Sequence, residues 1–317
     1  MIGPLVFCLL AFAIYKQLTR QPNWSASLQQ AKAALLNAPS WKLITVVVLM
    51  LANWACEARK WQVVIGKIHR LSFLRSWKAI FTGTTLAFFT PNRIGEYMGR
   101  ILYIPPGIRI KAISLTLVCS MAQLLVTWLA GITGLLYCKS VLEKSGNTSG
   151  LFWMNTVLYF TVAGAVILTL LYFRLSWLVR WVERIPRIEK FLAHIRVLDS
   201  FNATILWRIL SISIFRYGIF IGQYYLLFDV FNVPLTPLQV FGSISVVFLV
   251  LSIVPTIAVI TELGVRWEAS IEVVQLFSSN ITGILATSLA LWVINLVIPA
   301  LIGSLLILGI KIFNNRK

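Results

Sequence analysis

Thr90-Pro91-Asn92-Arg93-Ile94-Gly95-Glu96-Tyr97-Met98-Gly99-Arg100 is the stretch that decides how this chain folds. It closes a charge-free run, 79–92, that falls short of the about 20 apolar residues a spanning helix uses. Pro91 suits the first turn of a new helix, with Thr90 as its cap. A helix begun there presents free N–H groups and the positive end of its dipole. Arg93 adds a planar fork of donors suited to phosphate. Gly95 and Gly99 stand four apart, a spacing that lets another helix or a lipid come close, and Glu96 can pair with Arg100 on one face. The plain alternative is an interfacial salt bridge beside a helix break. Two arginines and a glutamate against so apolar a run favour a functional site.

The rest of the chain sets this stretch in a membrane. Of its 317 residues 59% are hydrophobic and only 12% charged, and the mean hydropathy is +0.85. Those values exclude a soluble globular enzyme, a disordered chain and a fibrous protein. Charge-free runs lie at 1–15, 43–56, 79–92, 112–138, 145–173, 230–261 and 273–310, and 209–228 is apolar except for Arg216. Continuous apolar runs of this kind span only as helices. Basic residues gather in three places: Arg59 to Lys78, Arg174 to Arg208, and Lys311 to Lys317. All three belong on the cytoplasmic side by the positive-inside rule, whereas 229–237, with Asp229 and no base, belongs outside. The sides agree only if two apolar segments turn back. The expected fold is therefore an all-α integral membrane protein with six full spans and two re-entrant broken helices, 79–111 from the cytoplasm and 238–278 from outside. That pattern suits an inverted repeat with halves near 1–145 and 151–317 inside one polytopic domain, 1–317. Eight ordinary spans is the competing arrangement. Segment 174–207, where Trp177 and Trp181 alternate with Arg180, Arg184 and Arg187, reads as an amphipathic helix in the interface plane.

A formal net charge of +18 would suggest nucleic acid in a soluble protein. With the bases in loops between apolar runs, it indicates anionic lipid headgroups and no nucleic acid. Cys8, Cys56, Cys119 and Cys138 sit in apolar runs without a CxxC spacing, and the two histidines, His69 and His194, lie in basic loops. No HExxH, phosphate-binding loop or acidic cluster occurs, so neither a metal nor a cofactor is expected and the chain is not read as an enzyme. A second break, Pro255-Thr256-Ile257-Ala258-Val259-Ile260-Thr261-Glu262-Leu263-Gly264-Val265-Arg266, reuses the parts of the first in another order. Ser213, Arg216, Phe220 and Gln223 share a helix face, as do Ser120, Gln123 and Thr127. The candidate binding residues are thus Arg93, Glu96, Arg100, Ser120, Gln123, Arg216, Gln223, Glu262 and Arg266. Pro91, Gly95, Gly99, Pro255 and Gly264 shape the breaks.

Pro91-Asn92-Arg93-Ile94-Gly95-Glu96, followed by Arg100, resembles the P-x-R-x-G-E signature of the lysylphosphatidylglycerol synthase transmembrane region family, also called the flippase-like domain family. Gly264-Val265-Arg266-Trp267-Glu268-Ala269 is similar to that family's second signature, Gly-Val-Arg-Glu-Ala. Trp267 is inserted there, so the second carboxylate is either Glu268 or Glu262. Glu57-Ala58-Arg59-Lys60-Trp61 resembles the basic-aromatic end of an early family helix. Family members with a soluble aminoacyl-transferase domain carry it after the membrane part, and this sequence shows none before Lys317. The resemblance therefore implies a flippase-like transporter in a cell membrane, by expectation a bacterial cytoplasmic one. It would move an anionic or zwitterionic phospholipid or lipid-linked headgroup between leaflets. Its expected partners are membrane lipids, with a second copy or the enzyme that makes the lipid as further partners. A proton- or ion-coupled transporter of a small anionic solute, with Glu96 and Glu262 as coupling groups, is the alternative.

Overall fold

The computed structural model describes residues 29, 32–34, 36–145, 148–174, 197–198, 201–254 and 259–314. The expected first span, Pro255 and most of the amphipathic segment 174–207 lie outside them. Among the described residues the chain is helical and has no strand. The elements are α1 (Ser40–Ile65), α2 (Phe73–Ala87), α3 (Gly95–Ile101), α4 (Arg109–Ser145), α5 (Thr148–Phe173), α6 (Ala203–Val230), α7 (Pro237–Ile253), α8 (Val259–Val274), α9 (Ile281–Trp292) and α10 (Ile298–Asn314). A single π turn, Val293–Val297, joins the last two. Among the described residues five segments are long and apolar enough to cross a membrane: α1, α4, most of α5, α6, and α9 with α10.

Contacts at the helix ends fix the sides. Near the C-terminal end of α1, the Trp61 indole donates to Thr116 at the start of α4 (3.1 Å), and Gln62 donates to the Leu71 carbonyl ahead of α2 (2.9 Å). Tyr172 at the end of α5 donates to the Leu206 carbonyl at the start of α6 (2.7 Å). Lys42 at the other end of α1 pairs with Asp229 at the end of α6. The loop after α1, the start of α4 and the start of α6 therefore share one face, which carries Lys67, Arg70, Arg109 and Arg208. The first expected basic segment and the end of the second, Arg208, thus share a side; most of Arg174 to Arg208 lies outside the described residues.

Two helix pairs enter and turn back. α2 leaves the basic face, held at its start by Ser72, which accepts from the Arg75 N–H. α3 returns along it, and α4 begins on the face from which α2 came. Gly99 lies against the backbone of Thr82 and Gly83, and Gly95 against the Leu86 carbonyl, so closely that a Cβ at either would overlap backbone. The small-residue spacing thus closes a hairpin. The second pair, α7 and α8, enters from the opposite face, where a Thr236–Gln239 capping box with Pro237 in the first turn starts α7. Trp128 of α4 donates to Ser252 at the inner end of α7 (3.0 Å), and Phe277 just after α8 stacks on Tyr137 near the far end of α4. Asn280 then starts α9, accepting from the Gly283 N–H and donating to the Phe231 and Asn232 carbonyls. Helix, hairpin, helix occurs twice, as α1, α2–α3, α4 and as α6, α7–α8, α9–α10, entering from opposite faces. That is the order of an inverted repeat.

Two local expectations need correction. Pro91 does not open a helix: Pro91–Arg93 form a 3-10 turn in which Asn92 (φ 48°) and Arg93 (φ 59°) are left-handed, and the helix starts at Gly95. Thr90 still caps it, accepting from the Gly95 N–H (2.7 Å) across the turn. The second span is also longer than the run 43–56: α1 runs on to Ile65, which takes Glu57 and Lys60 out of the expected loop and into the bundle. Charge-free runs end where a charge appears, whereas the helix continues because both charges find partners inside.

Candidate functional site

The tip of the first hairpin and the start of α8 meet in the middle of the bundle. Arg93 Nη1 stands 3.7 Å from a Glu262 carboxylate oxygen. Arg93 Nε also donates to Glu96 one turn on (2.7 Å), and Arg266 donates to Glu262 (2.7 Å) and to the Tyr224 hydroxyl (3.2 Å). Left-handed backbone costs a non-glycine residue about 1 kcal/mol or more, and such strain gathers at functional sites. Here it turns the Arg93 side chain toward the second hairpin.

Behind this pair lies a second charge cluster. Glu57, 5% exposed, receives three cations: Lys60 (2.9 Å), Arg100 (3.0 Å) and Arg216 (3.1 Å). Arg100 also reaches Glu96 (3.2 Å), which joins the two clusters. The Arg216 guanidinium donates to Asn53 (2.7 Å) and Gln123 (3.2 Å) and lies over the rings of Trp54 and Phe220. Asn53 in turn donates to Asn295, at the π turn, and Asn295 to Gln223. The π turn is thus where a polar side chain enters the ladder of the last span, a frequent place for such turns.

These side chains surround a cavity of about 360 Å³ with an adjoining chamber of about 80 Å³ that shares Arg93, Arg216 and Arg266. Its height follows from the helices: Asn53 and Trp54 lie midway along α1, and Arg216 midway along α6. Among the described residues five cations (Lys60, Arg93, Arg100, Arg216, Arg266) face three carboxylates (Glu57, Glu96, Glu262), an excess of two positive charges. Arg100 Nε and Nη1 and Arg266 Nε find no hydrogen-bond acceptor among the described residues. Trp54, Tyr217, Phe220, Phe248 and Leu251 supply apolar wall beside the charges. A site of this kind suits an anion carried on an apolar body. The residues offer no metal ligand set: no group of three His, Cys, Asp or Glu gathers among the described residues.

Of the nine candidate residues, Arg93, Glu96, Arg100, Ser120, Gln123, Arg216 and Arg266 line the cavity and Glu262 lines its side chamber. Gln223 does not: it is fully buried, donating to the Val46 carbonyl (3.0 Å) and accepting from Asn295, where it holds α1, α6 and the π turn together. A Cβ placed on Gly264 would meet nothing within 4 Å, so this glycine closes no contact, unlike Gly95 and Gly99. Glu268 is exposed, so the carboxylate beside Arg266 is Glu262. Glu57, Lys60, Asn53 and Asn295 complete the site without having been singled out as binding residues. The usable signal was the Glu57–Lys60 spacing between Trp54 and Trp61, which puts a charge pair on an otherwise aromatic face.

Membrane-length helices and two opposed hairpins around a cationic mid-bundle cavity define an all-α polytopic membrane protein. Residues 2–303 match the model of the lysylphosphatidylglycerol synthase TM region, nearly the whole sequence, and the chain belongs to that family. A comparison with curated proteins gives no match.

Proposed function

We propose that this protein is a flippase-like transporter that moves an anionic or zwitterionic phospholipid, or a lipid-linked headgroup, between leaflets, and that it does so without catalysing a reaction. The excess of two positive charges in a mid-bundle cavity carries this reading. Uncompensated charge at the bilayer midplane is expensive, and a phosphate brought in by a substrate would balance it. Arg93 and Arg266 would hold the phosphate with paired donors, and Arg216 would hold it deeper.

The cavity is too small for a diacyl lipid but within the range of headgroup-sized sites, about 300–1,000 Å³. The acyl chains would stay in the bilayer. A lateral route would lie between α3 and α4, where the Tyr97–Ser120 hydrogen bond (3.2 Å) bridges the rim and would have to open. Beside it Ile94 and Met98 are both 54% exposed, an apolar border that lipid tails tolerate. The Arg93–Glu262 contact joins the two hairpins, so a change in either tip alters access from both faces. The fitting location is a bacterial cytoplasmic membrane, and the fitting partners are the lipid itself and the enzyme that makes it.

Reconstitution tests the reading. Proteoliposomes containing fluorescent phosphatidylglycerol in both leaflets are expected to expose the inner-leaflet label to an external quencher faster than protein-free vesicles do. Uptake of a soluble organic phosphate with no lipid movement would support the small-anion alternative. Absence of both would overturn each reading.

A further inference from the structure

Outside the charged cavity, α1 and α6 frame a groove of about 470 Å³ lined by Ala55, Cys56, Arg59, Phe73, Ile212 and Phe215, with Ser211 at its edge. α1 separates the two spaces: Trp54, Glu57 and Lys60 face the cavity, while Ala55, Cys56 and Arg59 face the groove. The groove opens outward, where Phe215 is 64% and Phe73 42% exposed. It runs from the middle of α1 and α6, at Ala55 and Phe215, toward the basic face, where Arg59, Phe73 and Ser211 lie.

The geometry points to a second lipid site, in which this groove seats an acyl chain of an anionic phospholipid from the basic-side leaflet and Arg59 meets its phosphate. Three observations favour that occupant. The wall is apolar, formed by the spanning helices α1 and α6 with Phe73 from the start of α2, so it faces hydrocarbon. Arg59 is exposed at the rim and anchored by a bond to Gln62 (2.6 Å), which holds its guanidinium near the groove. Among the described residues on 58–78 and 201–211, Arg70, Arg75, Lys78 and Arg208 are exposed on this face and no carboxylate occurs. Basic pockets between spanning helices at the cytoplasmic surface suit anionic headgroups, and guanidinium suits phosphate better than ammonium does. A zwitterionic lipid brings no net charge to this field. The site is independent of the transport reading, since none of its residues lines the cavity.

Native mass spectrometry of the full-length protein in detergent, titrated with phosphatidylglycerol or phosphatidylcholine, tests it. Arg93→Ala supplies a background with the cavity weakened. In that background the protein is expected to retain one phosphatidylglycerol bound in preference to phosphatidylcholine. Arg59→Gln should weaken it about five-fold, the factor for one basic side chain at an anionic surface. Ser211→Trp, which fills the groove from its exposed edge, should remove it. Equal binding of the two lipids, or phosphatidylglycerol binding unchanged in Arg59→Gln, would overturn the site. A groove filled by another part of the chain would give that second result. Arg59→Gln alters an exposed side chain and keeps the test valid should Ser211→Trp fold poorly.

Discussion

Replacing Arg93 by alanine separates a structural charge from one that holds a ligand. Removing one member of a buried ion pair usually costs about 3–5 kcal/mol, because the partner is left charged and alone. That figure does not apply here. Glu96 keeps Arg100 at 3.2 Å and Glu262 keeps Arg266 at 2.7 Å, so neither carboxylate is orphaned. The Arg93 side chain is also 35% exposed to the cavity. The expected loss of stability is therefore that of a solvated pair, about 1 kcal/mol or less. Transport should suffer more. A hydrogen bond to a charged group is worth about 1.5–3 kcal/mol, which translates into roughly ten- to a hundred-fold in rate. Arg93→Lys should lose only part of this, since ammonium keeps the charge but not the planar fork. Arg93→Ala with Glu96→Ala should transport no faster than Arg93→Ala alone. The assays are a melting curve in detergent and lipid translocation in proteoliposomes, on the unaltered protein and all three variants. Recovery of transport in the double variant would show that Arg93 only balanced Glu96 and would refute the binding role.

Three further outcomes are expected. Glu57→Gln leaves Lys60, Arg100 and Arg216 without their shared carboxylate and should cost about 3–5 kcal/mol, read as a large fall in melting temperature that Lys60→Met partly restores. Gly99→Ala presses a methyl into the Gly83 backbone and should destabilise by about 1–3 kcal/mol, whereas Gly264→Ala, with open space around it, should be neutral or stabilise by up to about 1 kcal/mol; thermal shift distinguishes them. Arg109→Cys and Pro234→Cys, in a chain lacking Cys8, Cys56, Cys119 and Cys138, should label from opposite sides of the membrane; labelling from one side would contradict the first hairpin.

Much of the architecture was legible because charge and length constrain membrane proteins tightly. Three basic segments had to share a side, and too many apolar runs lay between them, so two had to turn back. The short run before Pro91 marked one of these hairpins. Arg93, Arg216 and Arg266 stood out because charge within apolar sequence needs a reason. Glu57 and Lys60 were hidden by the same logic: at the end of a charge-free run they looked like loop residues. Only packing shows that the helix continues and that Arg216, far away in sequence, closes the cluster. Gln223 shares a helix face with Arg216, yet it lies further along α6, where Asn295 and the Val46 carbonyl enclose it. The choice between Glu262 and Glu268 likewise depended on which side of α8 faces the first hairpin, a fact of tertiary packing.

The central claim is that a lipid headgroup occupies the cavity between the hairpins. Photolabelling with a phosphatidylglycerol that carries a diazirine on its headgroup, followed by peptide mapping, tests it most directly. The expected result is label on cavity-lining residues such as Ser120, Gln123 and Phe248 in the unaltered protein, greatly reduced in Arg93→Ala. Label confined to the outer, lipid-facing surface and unchanged by Arg93→Ala would contradict it.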